Sequence, residues 1–152
     1  MRISLKADYA IRGMAEIAAA QGSGPVKAET IGTNQGIPHK FLLNILSELR
    51  RADLVRSRRG GAGGYLLARE AAGITLADII RAVEGPLANV HEQRPEQVTY
   101  VGASRALREV WIAVRVNLRQ VLEAVTLDDL VNARLPPGVL ELTRQRDALV
   151  SR

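Results

Sequence analysis

The sequence predicts a mainly α-helical fold that contains one small β-hairpin. The chain has 152 residues and is 47% hydrophobic, yet it contains only one Phe, one Trp and three Tyr, so its core must be largely aliphatic, which favours helices. Apolar residues recur at helical spacing through most of the chain. The exception is residues 56–68, where three arginines, a run of glycines and an apolar stretch follow one another. That pattern is typical of two strands joined by a turn.

Three helices are predicted before the hairpin. The first covers about residues 6–21 and ends at a Gly-Ser-Gly-Pro segment. A short second helix over 27–35 is closed by Gly36, a residue suited to a helix C-terminus. Pro38 begins the third helix, because its missing N–H would be unpaired there anyway, and this helix runs to about residue 52. Its apolar stripe consists of Phe41, Leu42, Ile45, Leu46 and Leu49.

The second and third helices form a helix-turn-helix unit through Gly36-Ile37-Pro38. Such helix pairs are more often plain packing units than nucleic-acid-binding units. The basic hairpin that follows favours nucleic-acid binding here. Glycine allows tight turns and close approach of the backbone, and the planar guanidinium of arginine suits phosphates and base edges. A basic hairpin with an almost side-chain-free tip fits a nucleic-acid groove. The predicted architecture is therefore a winged helix-turn-helix domain.

The net charge of the chain is concentrated in this same region. Residues 27–69 hold eight basic and three acidic side chains, which accounts for the whole formal charge of +5. A localised basic patch indicates a polyanionic partner. The alternative is an ordinary solvated face.

The C-terminal half is predicted to be helical after a break. A fourth helix begins at Thr75 with a capping-box pattern and ends at Gly85-Pro86, and residues 86–103 show no period. A helix about 30 Å long then covers 104–125, and a short helix capped by Thr126 follows it. The long helix could fold back on its own domain or meet a second copy of the chain, and we favour the second. The stripe assigned to dimerisation comprises Leu107, Val110, Trp111, Val114, Leu118, Val121, Leu122 and Val125.

These boundaries divide the chain into four parts. Residues 1–87 form the winged helix-turn-helix domain, 88–103 a loop, 104–135 the dimerisation helix with the short helix after it, and 136–152 a C-terminal tail that begins at Pro136-Pro137-Gly138. The tail is expected to form a final amphipathic turn or two, or to fray.

Composition argues against several other functions. The chain has no cysteine, which excludes disulfides, thiolate zinc sites and cysteine-ligated iron–sulfur clusters. No apolar run approaches the length of a bilayer span. The first eight residues include Arg2, Lys6 and Asp8 where a signal peptide needs an apolar core, so we expect a cytoplasmic protein without a membrane partner. Neither His39 nor His91 has a neighbouring nucleophile pattern, and the glycines at 60–64 do not lead into a helix as a dinucleotide site requires. We expect no enzymatic activity, no cofactor and no metal.

Several of these segments together resemble the Rrf2 family of bacterial transcription regulators. The similarity lies in residues 4–10, in Gly36-Ile37-Pro38 with the apolar stripe after it, in the hairpin at 54–68, and in residues 74–80 and 83–86. These segments span residues 1 to about 87 in order, and a weaker similarity extends towards residue 131.

The resemblance implies a homodimer that binds an inverted repeat of double-stranded DNA. The helix from Pro38 would lie in the major groove and the hairpin, or wing, in the minor groove, with Arg59 at its root reaching into that groove. Arg50 and Arg51 would contact phosphates, although solvated charge at a helix end is an equally good interpretation. The full set of implied DNA-binding residues is Pro38, His39, Lys40, Asn44, Arg50, Arg51, Arg56, Arg58, Arg59, Gly60, Gly61, Gly63, Gly64 and Tyr65.

The chain also departs from the family pattern. Many members hold an iron–sulfur cluster with three cysteines before the long helix, and here residues 89–104 contain none. His91 with Glu92 and Glu96 would be a weak metal site, and a solvated loop is the better interpretation. Leu43 stands where relatives often carry a polar residue, which affects base preference.

The sequence thus predicts a cluster-free, homodimeric transcription regulator, most simply a repressor. Its signal would be a small molecule or a protein partner bound between the wing domain and the long helix, beside the loop at 88–103. The alternative is a winged-helix module that docks proteins, with incidental DNA affinity, for which an exposed Leu43 would be the cue.

Overall fold

The structure, a computed structural model, describes residues 2–144. Within that range it contains seven α-helices and one antiparallel pair of strands, so the predicted mainly α fold with a small hairpin is confirmed. Short 3-10 turns lie at Ala71–Gly73, Pro95–Gln97 and Gly102–Ser104. The regular elements are α1 (Leu5–Ala19), α2 (Ala28–Gln35), α3 (His39–Arg51), β1 (Val55–Arg58), β2 (Gly64–Leu67), α4 (Leu76–Glu84), α5 (Leu107–Ala124), α6 (Leu127–Val131) and α7 (Pro137–Thr143).

The core is built around α1, which packs against α2, α3, α4 and α6. Its side chains are almost entirely aliphatic, as the composition predicts. The largest fully buried ones are Met14, Ile31, Leu42, Ile45, Leu46, Leu49, Ile74, Ile79 and Leu127. Phe41, predicted in the apolar stripe of α3, lies at the margin of this core, where its ring meets that of Tyr9 edge-on at 5.7 Å between centroids.

Local signals in the sequence correctly mark several helix ends. Gly36 closes α2 in the left-handed conformation, with φ 63°. Thr75 caps α4 through a complete capping box, in which its hydroxyl accepts from the Asp78 N–H and the Asp78 carboxylate accepts from the Thr75 N–H. Thr126 and Asp129 repeat this arrangement at the start of α6.

Two helix starts differ from the prediction. Pro38 is the residue before α3 and not its first helical residue. The long helix begins at Leu107, because Gly102–Ser104 forms a 3-10 turn first. Pro137, which is well tolerated in a first turn, starts α7, a helix of about two turns within the predicted tail. The rest of that tail, residues 145–152, lies outside the described residues.

The chain after α5 returns to the N-terminal core. Leu127 is fully buried there, and its N–H donates to the Ile74 carbonyl at 2.9 Å, while the Leu76 N–H donates to the Val125 carbonyl at 3.0 Å. α6 therefore shares one hydrophobic core with the N-terminal helices. Between residues 2 and 144, no helix is long and apolar enough to cross a membrane.

Candidate nucleic-acid interface

One face of α3 is buried and the opposite face is open to solvent. Leu42, Ile45, Leu46 and Leu49 anchor the helix in the core at i, i+3, i+4 and i+7. The outer face carries His39, Lys40, Leu43 and Asn44, and Pro38 lies just before the helix; all five are exposed. The His39 Nε2 atom lies 4.0 Å from a Glu29 carboxylate oxygen, which is a long contact between exposed groups. The apolar residues of α3 therefore anchor the helix in the core, and its opposite, mostly polar face is exposed to solvent.

The hairpin is attached to the domain through Tyr65. Its N–H donates to the Val26 carbonyl at 2.8 Å, and its carbonyl accepts from the Val26 N–H at 2.9 Å, so Val26 acts as a single bridge beside β2. The Tyr65 ring is half-buried and packs against the core. Gly64 allows this attachment, because a Cβ at that position would lie 2.5 Å from the Val26 carbonyl oxygen.

The strand β1 sorts its side chains by face. Val55 is buried, and Arg56, Ser57 and Arg58 are exposed because the hairpin projects from the domain. Alternate residues of a strand point to opposite faces, so Arg56 and Arg58 share one face while Ser57 lies on the other. There the Ser57 hydroxyl accepts a hydrogen bond from Arg50 Nη1 of α3 at 3.3 Å.

The glycines of the wing tip have different structural roles. The Gly63 N–H donates to the Gly60 carbonyl at 3.0 Å and closes the turn. A Cβ on Gly63 would lie 2.2 Å from the Arg58 carbonyl oxygen, whereas a Cβ on Gly61 would meet nothing within 4 Å. The fold therefore requires glycine at 63 and 64 but not at 61.

The basic side chains of this surface have no acidic partners. Six of them have no carboxylate oxygen within 4.0 Å of a charged nitrogen among residues 2–144. We call these six side chains the free cations: Lys40, Arg50, Arg51, Arg56, Arg58 and Arg59. All six are exposed, and they lie on α3 and on the hairpin. Exposed charges without counter-charges produce a local positive potential, which attracts a polyanion.

Sequence reasoning missed two residues that shape this surface. Val26 holds the hairpin through its backbone, and Ser57 holds Arg50. Strand alternation could have indicated Ser57, since it separates two arginines that share the other face. Val26 carries no comparable signal, because its partner Tyr65 lies 39 positions away in the sequence.

The stripe assigned to dimerisation lies on a helix that its own chain covers poorly. None of the 18 residues of α5 is buried, and among the described elements the helix packs mainly on α4 and on the Pro95–Gln97 turn. Val110 is 51% exposed. Val125 is the exception, because α5 ends at Ala124 and Val125 turns into the core with 3% exposure. Its side chain is thus already covered within its own chain, unlike the rest of the stripe.

The loop before α5 does not bring metal ligands together. His91 is exposed with φ 48°, and both Glu96 carboxylate oxygens contact Arg115 Nη1, at 2.7 and 3.0 Å. In the described part of the chain, no three side chains of the His, Cys, Asp or Glu type form a group that could hold a metal ion.

Comparison with known proteins identifies the family. The model of the Rrf2 family, described as an iron-dependent transcriptional regulator, matches residues 3–133. A putative HTH-type transcriptional regulator of Mycobacterium tuberculosis is 44% identical over 93% of this chain and 88% of its own. The HTH-type transcriptional regulator CymR of Bacillus subtilis is 38% identical over 87% of this chain and 91% of its own.

Solved structures agree with these sequence matches. The structure of CymR, the global cysteine regulator of B. subtilis, superposes with a TM-score of 0.75 at 37% identity, covering 88% of this chain and 98% of that one. IscR of T. potens superposes with a TM-score of 0.72 at 31% identity, covering 93% and 96%.

A cysteine-ligated iron–sulfur cluster does not fit this chain. Iron–sulfur clusters are held mainly by cysteine thiolates, and the 152 residues include no cysteine. The fold, the basic surface and the matches nevertheless agree over most of the chain, and the protein is a DNA-binding transcriptional regulator of the Rrf2 family.

Proposed function

We propose that this regulator binds an inverted-repeat operator as a homodimer and represses transcription. The observation that carries the proposal is the group of six free cations on α3 and the hairpin, next to a polar helix face. Two-fold symmetry of the dimer would present two such surfaces to two half-sites of DNA. Repression needs no further contact, because a dimer bound over a promoter excludes polymerase sterically.

The exposed residues divide into readers of bases and binders of phosphates. Asn44 can form two hydrogen bonds with adenine in the major groove, and Arg59 can enter the narrow minor groove beside the wing. Pro38, His39 and Lys40 lie at the start of α3, where a recognition helix contacts base edges and phosphates. The binders of phosphates would be Arg50, Arg51, Arg56 and Arg58, with Ser57 holding Arg50 in place.

The wing glycines and Tyr65 take more specific roles than the sequence indicates. Gly60 and Gly61 form the open tip, where the backbone can approach phosphates. Gly63, Gly64 and Tyr65 act indirectly, since a Cβ on either glycine would collide with backbone and Tyr65 attaches the hairpin to Val26. They determine the position of the wing and need not touch DNA.

The dimer would form through α5. None of the 18 residues of α5 is buried within its own chain, so the helix is suited to packing against a partner. In a two-fold symmetric dimer, the apolar stripe of one α5 would pack against the same stripe of the other chain. The proposed contact comprises Leu107, Val110, Trp111, Val114, Leu118, Val121 and Leu122, and it leaves out the buried Val125.

We further propose that the protein acts in the cytoplasm, where its DNA is, and that a small molecule or protein partner controls it in place of a cluster.

The test is selection of bound fragments from total genomic DNA, followed by affinity measurements on a recovered site. We expect an inverted repeat, and we expect Arg59→Ala to weaken binding by about 1–3 kcal/mol. Arg134→Ala is the control, because this exposed arginine already contacts Asp128 at 3.4 Å. Recovery of no preferred fragment would contradict the proposal. It would favour a protein-docking module that uses Leu43, which is 39% exposed.

A further inference from the structure

A cavity lined by four arginines lies between α4, α5 and the loop that joins them. Its volume is about 470 Å³, within the range of small-molecule sites. Arg81 comes from α4, Arg94 from the loop, and Arg115 and Arg119 from α5, and the segment Gly85–Leu87 completes the lining. The predicted effector site lies in this same region, and the chemistry of the lining now indicates what it binds.

The arginines outnumber the carboxylates that contact them. Arg81 and Arg119 both bind the Glu123 carboxylate, Arg119 through Nε at 3.0 Å, and Arg115 binds Glu96. Arg94 has no carboxylate oxygen within 4.0 Å among residues 2–144. Asp78 also approaches Arg81, at 3.9 Å, but Asp78 is engaged by the Thr75 cap and by Arg69. The cavity therefore has an excess of about two positive charges.

One arginine also has hydrogen-bonding capacity to spare. Arg115 uses only Nη1 towards Glu96, and its Nε atom is buried without an acceptor in the described part of the chain. A buried donor is normally paired, so a ligand oxygen that reached it would be bound favourably. The neighbouring Glu123 stays ionised, because hydrogen bonds from Arg81 and then Arg119 lower the pKa of its carboxyl.

We propose that this cavity binds a small dianion, a phosphate monoester or a dicarboxylate, and that it is the effector site of the regulator. Its two excess positive charges match two negative charges on the ligand, and planar guanidinium groups bind carboxylate and phosphate oxygens well. An anion held by Arg81, Arg94 and Arg119 would link the wing domain to α5. The effector role rests on the function proposed above, whereas binding of the anion does not.

Binding is measured by calorimetry on the whole protein without DNA, at constant ionic strength and at a pH where phosphate is dianionic. Inorganic phosphate and succinate are the dianionic probes, and acetate is the monoanionic control. We expect saturable binding of at least one dianion and binding of acetate at least about ten-fold weaker. Preference for phosphate would assign the site to phosphate monoesters, and preference for succinate would assign it to dicarboxylates.

Variants then locate the site. Arg94→Gln should weaken the dianion at least about five-fold, because it removes a charge-assisted donor, and Glu123→Gln should strengthen it by freeing Arg81 and Arg119. Arg105→Gln is the matched control, since it removes one exposed arginine that does not line the cavity, and it should change affinity less than about two-fold. Absence of dianion binding, or equal effects of Arg94→Gln and Arg105→Gln, would overturn the proposal.

Two measurements on operator DNA separate this inference from the proposed function. Arg94→Gln alone should leave operator affinity unchanged, and a loss as large as that of Arg59→Ala would mean that the cavity contacts DNA phosphates instead. The bound dianion should change operator affinity of the parent protein but not of Arg94→Gln. Dianion binding without that change would overturn the effector role. Failure of the protein to bind any operator would overturn the proposed function and leave the anion site standing.

Discussion

The arginines of the wing and those of the long helix differ in what surrounds them. Arg56, Arg58 and Arg59 on the hairpin have no carboxylate within 4.0 Å among the described residues, whereas Arg115 and Arg119 on α5 bind Glu96 and Glu123. The two regions contain the same residue type, but the wing arginines are unpaired, whereas each of these two α5 arginines contacts a carboxylate. The wing therefore presents open, unpaired charge suited to DNA, whereas the cavity beside α5 keeps only a partial excess of positive charge, which suits a small anion.

The largest expected effect is the response of operator binding to salt. If the six free cations of each chain neutralise phosphates, raising salt from about 50 to 200 mM should lower the affinity at least about 1,000-fold, or about 4 kcal/mol. Electrophoretic or fluorescence titrations over this range measure the effect. An affinity that stayed within about ten-fold would show that the uncompensated charges do not hold DNA.

A second prediction separates the shape of the wing from its contact with DNA. Gly64→Ala should lower the free energy of unfolding by about 3 kcal/mol, because its Cβ would collide with the Val26 carbonyl oxygen. Gly61→Ala is the matched control, since its Cβ meets nothing within 4 Å, and it should leave stability unchanged while weakening DNA binding. Urea unfolding monitors stability. Equal stability of both variants would mean that Gly64 does not hold the hairpin on Val26.

A third prediction concerns the apolar side of α5. Val110→Arg should weaken dimerisation about 100-fold, or about 2.8 kcal/mol. In a two-fold dimer, each chain would bring one added arginine into the same apolar interface. Val110 is half-exposed in its own chain, so the fold should survive. Sedimentation equilibrium compares this variant with Gln120→Arg, an exposed position outside the stripe. A dimer that tolerates both changes would require another interface.

The smallest effect concerns the ion pairs at Glu123. Its carboxyl has a pKa below the usual 4.5, lowered by hydrogen bonds from Arg81 and then Arg119. A group whose pKa falls on folding stabilises the folded state above its unfolded pKa, and that stabilisation is lost as pH falls through the folded pKa. Glu123→Gln should therefore flatten the decline in stability below about pH 4.5. Unfolding curves measured down to acid pH test this, and identical declines in both proteins would argue against the bridge.

The parts of the fold that rest on neighbouring residues are predictable from sequence. The Gly36 stop and the Thr75 and Thr126 caps each depend on residues within one helical turn. The wing is equally local, since its arginines and glycines are contiguous in the sequence. These signals suffice for the architecture and for most of the candidate DNA surface.

Contacts between distant residues explain what sequence reasoning missed. Val125 continues the stripe of α5 in the sequence, but the helix ends before it and the Leu76 N–H binds its carbonyl, which places it in the core. The bridge from Arg81 to Glu123 joins residues 42 positions apart. Helical periodicity contains no information on such long-range contacts. The ion pair between Arg81 and Glu123 is therefore visible only in the structure.

The central claim is that free and paired arginines have different roles, and the salt dependence of operator binding in two double variants tests it most directly. Arg56→Gln with Arg58→Gln removes two free cations per chain, and Arg108→Gln with Arg134→Gln removes the same charge from arginines that contact Glu109 and Asp128. The slope of log affinity against log salt should become shallower by about 3 to 4 in the first dimer and should be unchanged in the second. Equal slopes in the two variants would contradict the claim.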